Sequence, residues 1–232
     1  MPILPDIPKA EAAIIELSNV FRASSKLAVV KSEPALTRAA RDYAKFLATT
    51  TIFSHEADGR RPIDRIKAAG YQPCSTAENL AWMSDGRGFE TRDLAMRMVE
   101  GWKKSPPHRK NLELPFVTET GVAIAKVRGE DKYISVQLFG RPAALQYAFQ
   151  IENTGGTAVD YSAFGKDMRI ENNTIIRHTA CEPGEVTFQL KPGGLLSKAA
   201  IVRQEARDGH VYKLTRGKSG DIAVEVSTTP SK

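Results

Sequence analysis

Three side chains in this sequence are of types that can hold and pass a proton between them: His55, Glu78 and His108. His55 stands in Phe53-Ser-His-Glu-Ala-Asp-Gly59, and His108 in Ser105-Pro-Pro-His-Arg109; both stretches carry loop chemistry. Glu78 stands in Ala77-Glu-Asn-Leu-Ala81, an acidic residue inside an otherwise apolar run. Imidazoles titrate near neutrality and a carboxylate can orient them, so such a set suits acid–base work or ligand binding. From spacing alone the same residues read as two surface-loop histidines and a capping glutamate. The other two histidines, His178 and His210, have no metal-like partner spacing and are expected to face solvent. No serine or cysteine nucleophile stands in a recognisable elbow. The two cysteines, Cys74 and Cys181, offer no C-x-x-C spacing, which excludes a zinc knuckle or a thioredoxin-type site. A single bridge between them and two buried free thiols both fit the sequence.

The elements that must position these residues change character along the chain. Ala10–Arg22 carries Ile14, Leu17 and Phe21 at helical spacing, and Leu36, Ala39, Ala40, Tyr43, Ala44 and Leu47 repeat the pattern after Pro34. Pro62 and Gly70 bracket a short third helix. Thr91–Lys104 places Leu94, Met98, Val99 and Trp102 on one helical face. Trp102, Tyr43 and Phe46 read as core, and so does Trp82. The period then switches to two at Thr120–Lys126 and Lys132–Phe139, joined by a Gly129-Glu-Asp turn. Beyond Pro142, short alternating runs recur at Gln146–Glu152, Ala158–Phe164, Glu185–Leu190, Ala200–Gln204, Val211–Thr215 and Ile222–Val226. Turn residues separate them, including Lys191-Pro-Gly-Gly and Lys218-Ser-Gly-Asp. An α+β domain over 1–142 and a β-sandwich-like domain over 143–232 are expected.

Composition narrows the function classes. The chain has 232 residues, is 41% hydrophobic and 26% charged, and is therefore globular. No apolar run approaches the roughly 20 residues a membrane-spanning helix needs. The net charge of +6 is scattered without a basic stripe and interleaved aromatics, so no nucleic-acid partner is expected. No basic region followed by an apolar core opens the sequence, which fits either a cytoplasmic protein or one whose leader has been trimmed.

An ordered series of short motifs resembles the CAP superfamily, also called SCP domains, which includes cysteine-rich secretory, antigen 5 and pathogenesis-related proteins. The series runs Asn19-x-x-Arg22, Phe53-Ser-His55, Gly59-Arg60 to Arg65, Ala69-Gly-Tyr71, Ala77-Glu-Asn-Leu80, Trp102 with Ser105-Pro-Pro-His-Arg109, Asn111-Leu112 and Thr120-Gly-Val122. It is similar to the bacterial branch. The resemblance implies an α-β-α sandwich with an open cleft whose His/Glu set falls on His55, Glu78 and His108. It further implies export, to the periplasm or outside the cell, and recognition of a lipid, glycan or other envelope-derived ligand. Zinc or another divalent metal on His55, His108 and Glu78 is a further implication, with a water completing the tetrahedron. With metal, hydrolysis of peptide or envelope material is conceivable; a structural envelope protein with a vestigial cleft is the third alternative. Many members carry a second glutamate where this chain has Ser105. Glu100 lies about 200° around the helix from Trp102 and does not take that place. This missing carboxylate favours binding over catalysis.

Overall fold

In a computed structural model of the protein, residues 2–192, 199–218 and 220–228 are described. The chain divides into two compact units, Met1–Ala144 and Leu145–Lys232. The first comprises α1 (Ile7–Ser24), β1 (Lys31–Ser32), α2 (Pro34–Leu47), α3 (Pro62–Ala68), β2 (Pro73–Ser84), α4 (Thr91–Lys104), α5 (Pro106–Leu112), β3 (Glu119–Lys126) and β4 (Lys132–Pro142).

Local chemistry sets where these helices begin. The Asp6 carboxylate accepts from the Lys9 amide at 3.1 Å, and the Glu33 carboxylate accepts from the Leu36 amide at 2.7 Å. Proline occupies the first turn of α1, α2, α3 and α5, where its missing N–H costs nothing. The strands form one sheet in the order β1-β3-β4-β2, with β1 parallel to β3 and the other pairs antiparallel.

Alternation along β3 and β4 divides the core in two. Val122, Ile124, Tyr133 and Phe139 pack with Ala10 and Ile14 of α1, Leu94, Met98 and Trp102 of α4, and Leu112 of α5. Ala123, Ile134, Val136 and Leu138 pack instead with Leu36, Ala39, Tyr43 and Leu47 of α2 and Ile66 of α3. Helices on both faces of one sheet make the expected α-β-α sandwich. Gly121 is what lets α2 come so close: a Cβ there would lie 2.2 Å from the Leu36 carbonyl carbon. At the free edge of the sheet lies β2, whose Leu80 carbonyl accepts the Trp102 indole N–H at 3.0 Å.

Two elements depart from the sequence expectation. β2 was not foreseen because the adjacent polar residues Glu78 and Asn79, both buried, break a simple apolar/polar alternation. His108 lies on helix α5 and not in a loop; Pro106 and Pro107 suggest a break, yet prolines in a first turn start a helix as readily as they end one. Phe46 is 36% exposed and Trp82 51% exposed, so neither is the core residue that was expected, whereas Trp102 and Tyr43 are buried.

The second unit holds β5 (Tyr147–Asn153), β6 (Val159–Ala163), β7 (Lys166–Ile170), β8 (Thr174–Ala180), β9 (Gly184–Leu190), β10 (Ala200–Ala206), β11 (His210–Arg216) and β12 (Ile222–Thr228). Two four-stranded sheets, β10-β9-β6-β7 and β12-β11-β5-β8, enclose one core that includes Phe149, Ile151, Tyr161, Phe188, Tyr212 and Leu214. The expected turns at 191–194 and 218–221 lie partly outside the described residues. β7 and β8 were missed because their polar outer faces hide the period: β7 fully buries only Ile170. His178 on β8 is not solvent-facing; its ring stacks on Phe149 at 5.0 Å between centroids and its Nε2 meets the Tyr161 hydroxyl at 3.0 Å. Cys74 and Cys181 are both disulfide-bonded. No helix among the described residues is long and apolar enough to cross a membrane.

Candidate functional site

Glu78 comes from the exposed edge strand, yet its side chain is only 2% exposed, so its charge must be answered locally. Both oxygens are engaged. Oε1 meets His55 Nδ1 at 2.7 Å, and Oε2 accepts from an Arg65 guanidinium nitrogen at 2.9 Å. Arg65, on α3, is equally buried and lies over the Tyr43 ring at 3.4 Å from its centroid. The same guanidinium donates to the His55 carbonyl at 2.9 Å, the Arg60 carbonyl at 2.7 Å and Asp58 Oδ1 at 2.9 Å. The Tyr43 hydroxyl donates to the Ser54 carbonyl and accepts from the Ala57 amide at 3.1 Å. The loop carrying His55 is thus clamped from beneath at residues 54, 55, 57, 58 and 60.

Burial works to raise the Asp58 carboxyl, but the Arg60 amide and the Arg65 guanidinium outweigh it and hold its pKa below the ordinary value. Above this clamp the His55 side chain is 49% exposed. With Nδ1 held by a carboxylate, its Nε2 is the ring nitrogen left for a ligand.

His108 reaches the same place from α5. Ser105 stands at the N-cap of that helix but makes no capping bond; its hydroxyl meets His108 Nδ1 at 2.9 Å instead. Asn79 donates to the His108 carbonyl at 3.1 Å, and Asn111 donates to the Glu78 carbonyl at 3.0 Å and to Asn79 Oδ1 at 2.9 Å. These amides fasten α5 to the edge strand. Burial, and then the nearby His55, lower the His108 pKa below the usual histidine value. Both effects favour the neutral imidazole.

The structure joins His55 to Glu78 directly and sets His108 close to His55. Among the described residues no group of three or more His, Cys, Asp or Glu is disposed to hold a metal ion. Glu78 is already shared between the His55 imidazole and the buried Arg65 guanidinium. It is an orienting partner, and two imidazoles are the donors that remain. Glu100 is occupied in an ion pair with Lys103, and Arg109 pairs with Glu113 at 3.0 Å. Arg65, Tyr43 and Asp58 had no site role in the sequence reading. A buried arginine needs an acidic partner, but no spacing reveals which carboxylate it finds.

Residues 15–139, more than half of the chain, match the family model described as the cysteine-rich secretory protein family, CAP. The chain belongs to this family. Among its bacterial members, the uncharacterised YkwD protein of Bacillus subtilis is 27% identical over 113 residues, which span 48% of this chain and 41% of that protein. An outer surface protein of Borrelia burgdorferi shares the fold, with a TM-score of 0.51 and 22% identity over 57% of this chain and 92% of its own. An extracellular SCP-domain protein of Bacillus anthracis is also similar, at a TM-score of 0.48 and 23% identity over 61% of this chain and 45% of its own.

Proposed function

We propose that this CAP protein is an exported binding protein whose edge-strand cleft holds an envelope-derived glycan or lipid head group through His55 and His108, without turning it over. The observation that carries this reading is the saturation of Glu78. Held between His55 and Arg65, Glu78 orients the imidazole and does not itself meet a ligand. With Nδ1 engaged on both imidazoles, the two Nε2 atoms are left to hydrogen-bond the hydroxyl or amine groups of a ligand. Ile52 and Phe53, both exposed beside His55, supply an apolar rim for the body of such a ligand. The disulfide-bonded cysteines and membership of a secretory family support export.

Saturation-transfer NMR against a panel of envelope saccharides and lipids tests the reading. Saturable binding that is lost in both His55→Ala and His108→Ala, with every panel member recovered intact, supports it. Hydrolysis of any member by the native chain, or binding indifferent to both substitutions, overturns it. Zinc calorimetry on the same variants addresses the metal separately.

A further inference from the structure

Helix α5 has a second face. Pro106, Arg109, Lys110 and Glu113 follow the i, i+3, i+4, i+7 spacing of one helical side, about 150° around from His108. That side lines a cavity of about 530 Å³, closed by Lys103 and Lys104 of α4 and by Leu114, Pro115 and Phe116. None of His55, Glu78 or His108 contributes to it.

Four cationic side chains line this cavity against one carboxylate. Lys103 is paired with Glu100 and Arg109 with Glu113, whereas Lys104 and Lys110 have no carboxylate partner among the described residues. The wall behind is positive as well. Arg22 of α1, fully buried, donates to the Leu112 and Leu114 carbonyls at 2.8 and 2.9 Å and forms no ion pair among the described residues. One of its guanidinium nitrogens, Nη2, has no hydrogen-bond partner among the described residues. Arg141 donates to the Phe116 carbonyl at 3.0 Å. Two arginines thus hold the 112–116 segment by its carbonyls, making a built wall and not a floppy loop. An isolated buried cation is costly, and an anion nearby offsets that cost.

We propose that this cavity is a second binding site, which takes a single anionic amphiphile: a phosphate or carboxylate head between Lys104 and Lys110, with an apolar body against Leu114, Pro115 and Phe116. Its volume is in the range of small-ligand sites.

Isothermal titration calorimetry of the whole chain, with decyl phosphate below its micelle concentration and with inorganic phosphate as the head alone, tests the proposal. Decyl phosphate is expected to bind at one saturable site, about tenfold or more tighter than inorganic phosphate. Lys104→Glu/Lys110→Glu is expected to weaken it about tenfold or more, while the exposed control Lys45→Glu/Lys213→Glu leaves it within about twofold. In the native chain, raising sodium chloride to about 0.5 M should weaken binding severalfold, a readout independent of any variant. The proposal is overturned by the absence of saturable heat, by equal affinity for inorganic phosphate, or by indifference to both salt and charge reversal.

Discussion

Replacing Arg65 by methionine should be the most damaging single change to the site, and the structure says by how much. The methionine keeps most of the aliphatic stem but removes the guanidinium, and with it the contact over the Tyr43 ring. Glu78, 2% exposed, then retains only His55 among the described residues, and the His55 and Arg60 carbonyls lose the Arg65 donor. Removing one partner of a buried ion pair costs about 3–5 kcal/mol, because the other charge stays buried and unanswered. Converting Glu78 to leucine at the same time removes that orphan, so the double variant should recover about 2 kcal/mol of the loss. Both tryptophans, Trp82 and Trp102, lie in the first unit, so fluorescence-detected urea unfolding reports on that unit alone. The midpoint should fall with little change in slope. A loss below about 1 kcal/mol for Arg65→Met, or a double variant no more stable than the single one, would refute the clamp.

Ser105→Ala should free His108 Nδ1 and alter the tautomer populations reported by its ring ¹⁵N shifts, at a stability cost of about 1 kcal/mol or less. Gly121→Ala forces a Cβ against the α2 backbone and should destabilise the first unit by about 1–3 kcal/mol or more, read from its urea midpoint. Burial holds the His178 pKa below that of the unfolded chain, so below about pH 6.5 the unfolded state takes up a proton the folded state refuses. Stability of the second unit should therefore fall as pH drops through that value; calorimetry at pH 7 and 5 should show the fall, reduced in His178→Gln. Peptide mapping without reductant should recover Cys74 and Cys181 in one linked peptide, and finding both as free thiols in exported material would contradict the bridge.

Much of the scaffold was legible because single residues announced it. Pro34, Pro62 and the Leu94–Trp102 stripe marked helices within a residue or two of their ends, and the switch to period two at Thr120 marked the central hairpin. The edge strand was opaque for a physical reason: the site is built into it, and buried polar residues erase the hydrophobic rhythm that reveals a strand. The identity of His55, Glu78 and His108 came from resemblance, since a trio gathered from a loop, a strand and a helix has no local spacing. What resemblance did not convey was occupancy. That Glu78 spends both oxygens on neighbours follows from Arg65 thirteen positions upstream, a contact only the folded chain makes.

Seven residues make too short a helix to persist in water, since nucleation is barely repaid over so few bonds. Helix α5 stands because Asn79 and Asn111 tether one side of it and the Leu112–Leu114 segment that follows is tethered by Arg22. Its order is therefore a shared quantity. An occupant that steadies the lysine-lined side lowers the entropic cost of presenting His108 on the other. Were both proposed sites occupied, reciprocity would require each occupant to strengthen the hold on the other by the same factor. The brevity of this helix is what would make the two sides a thermodynamic pair.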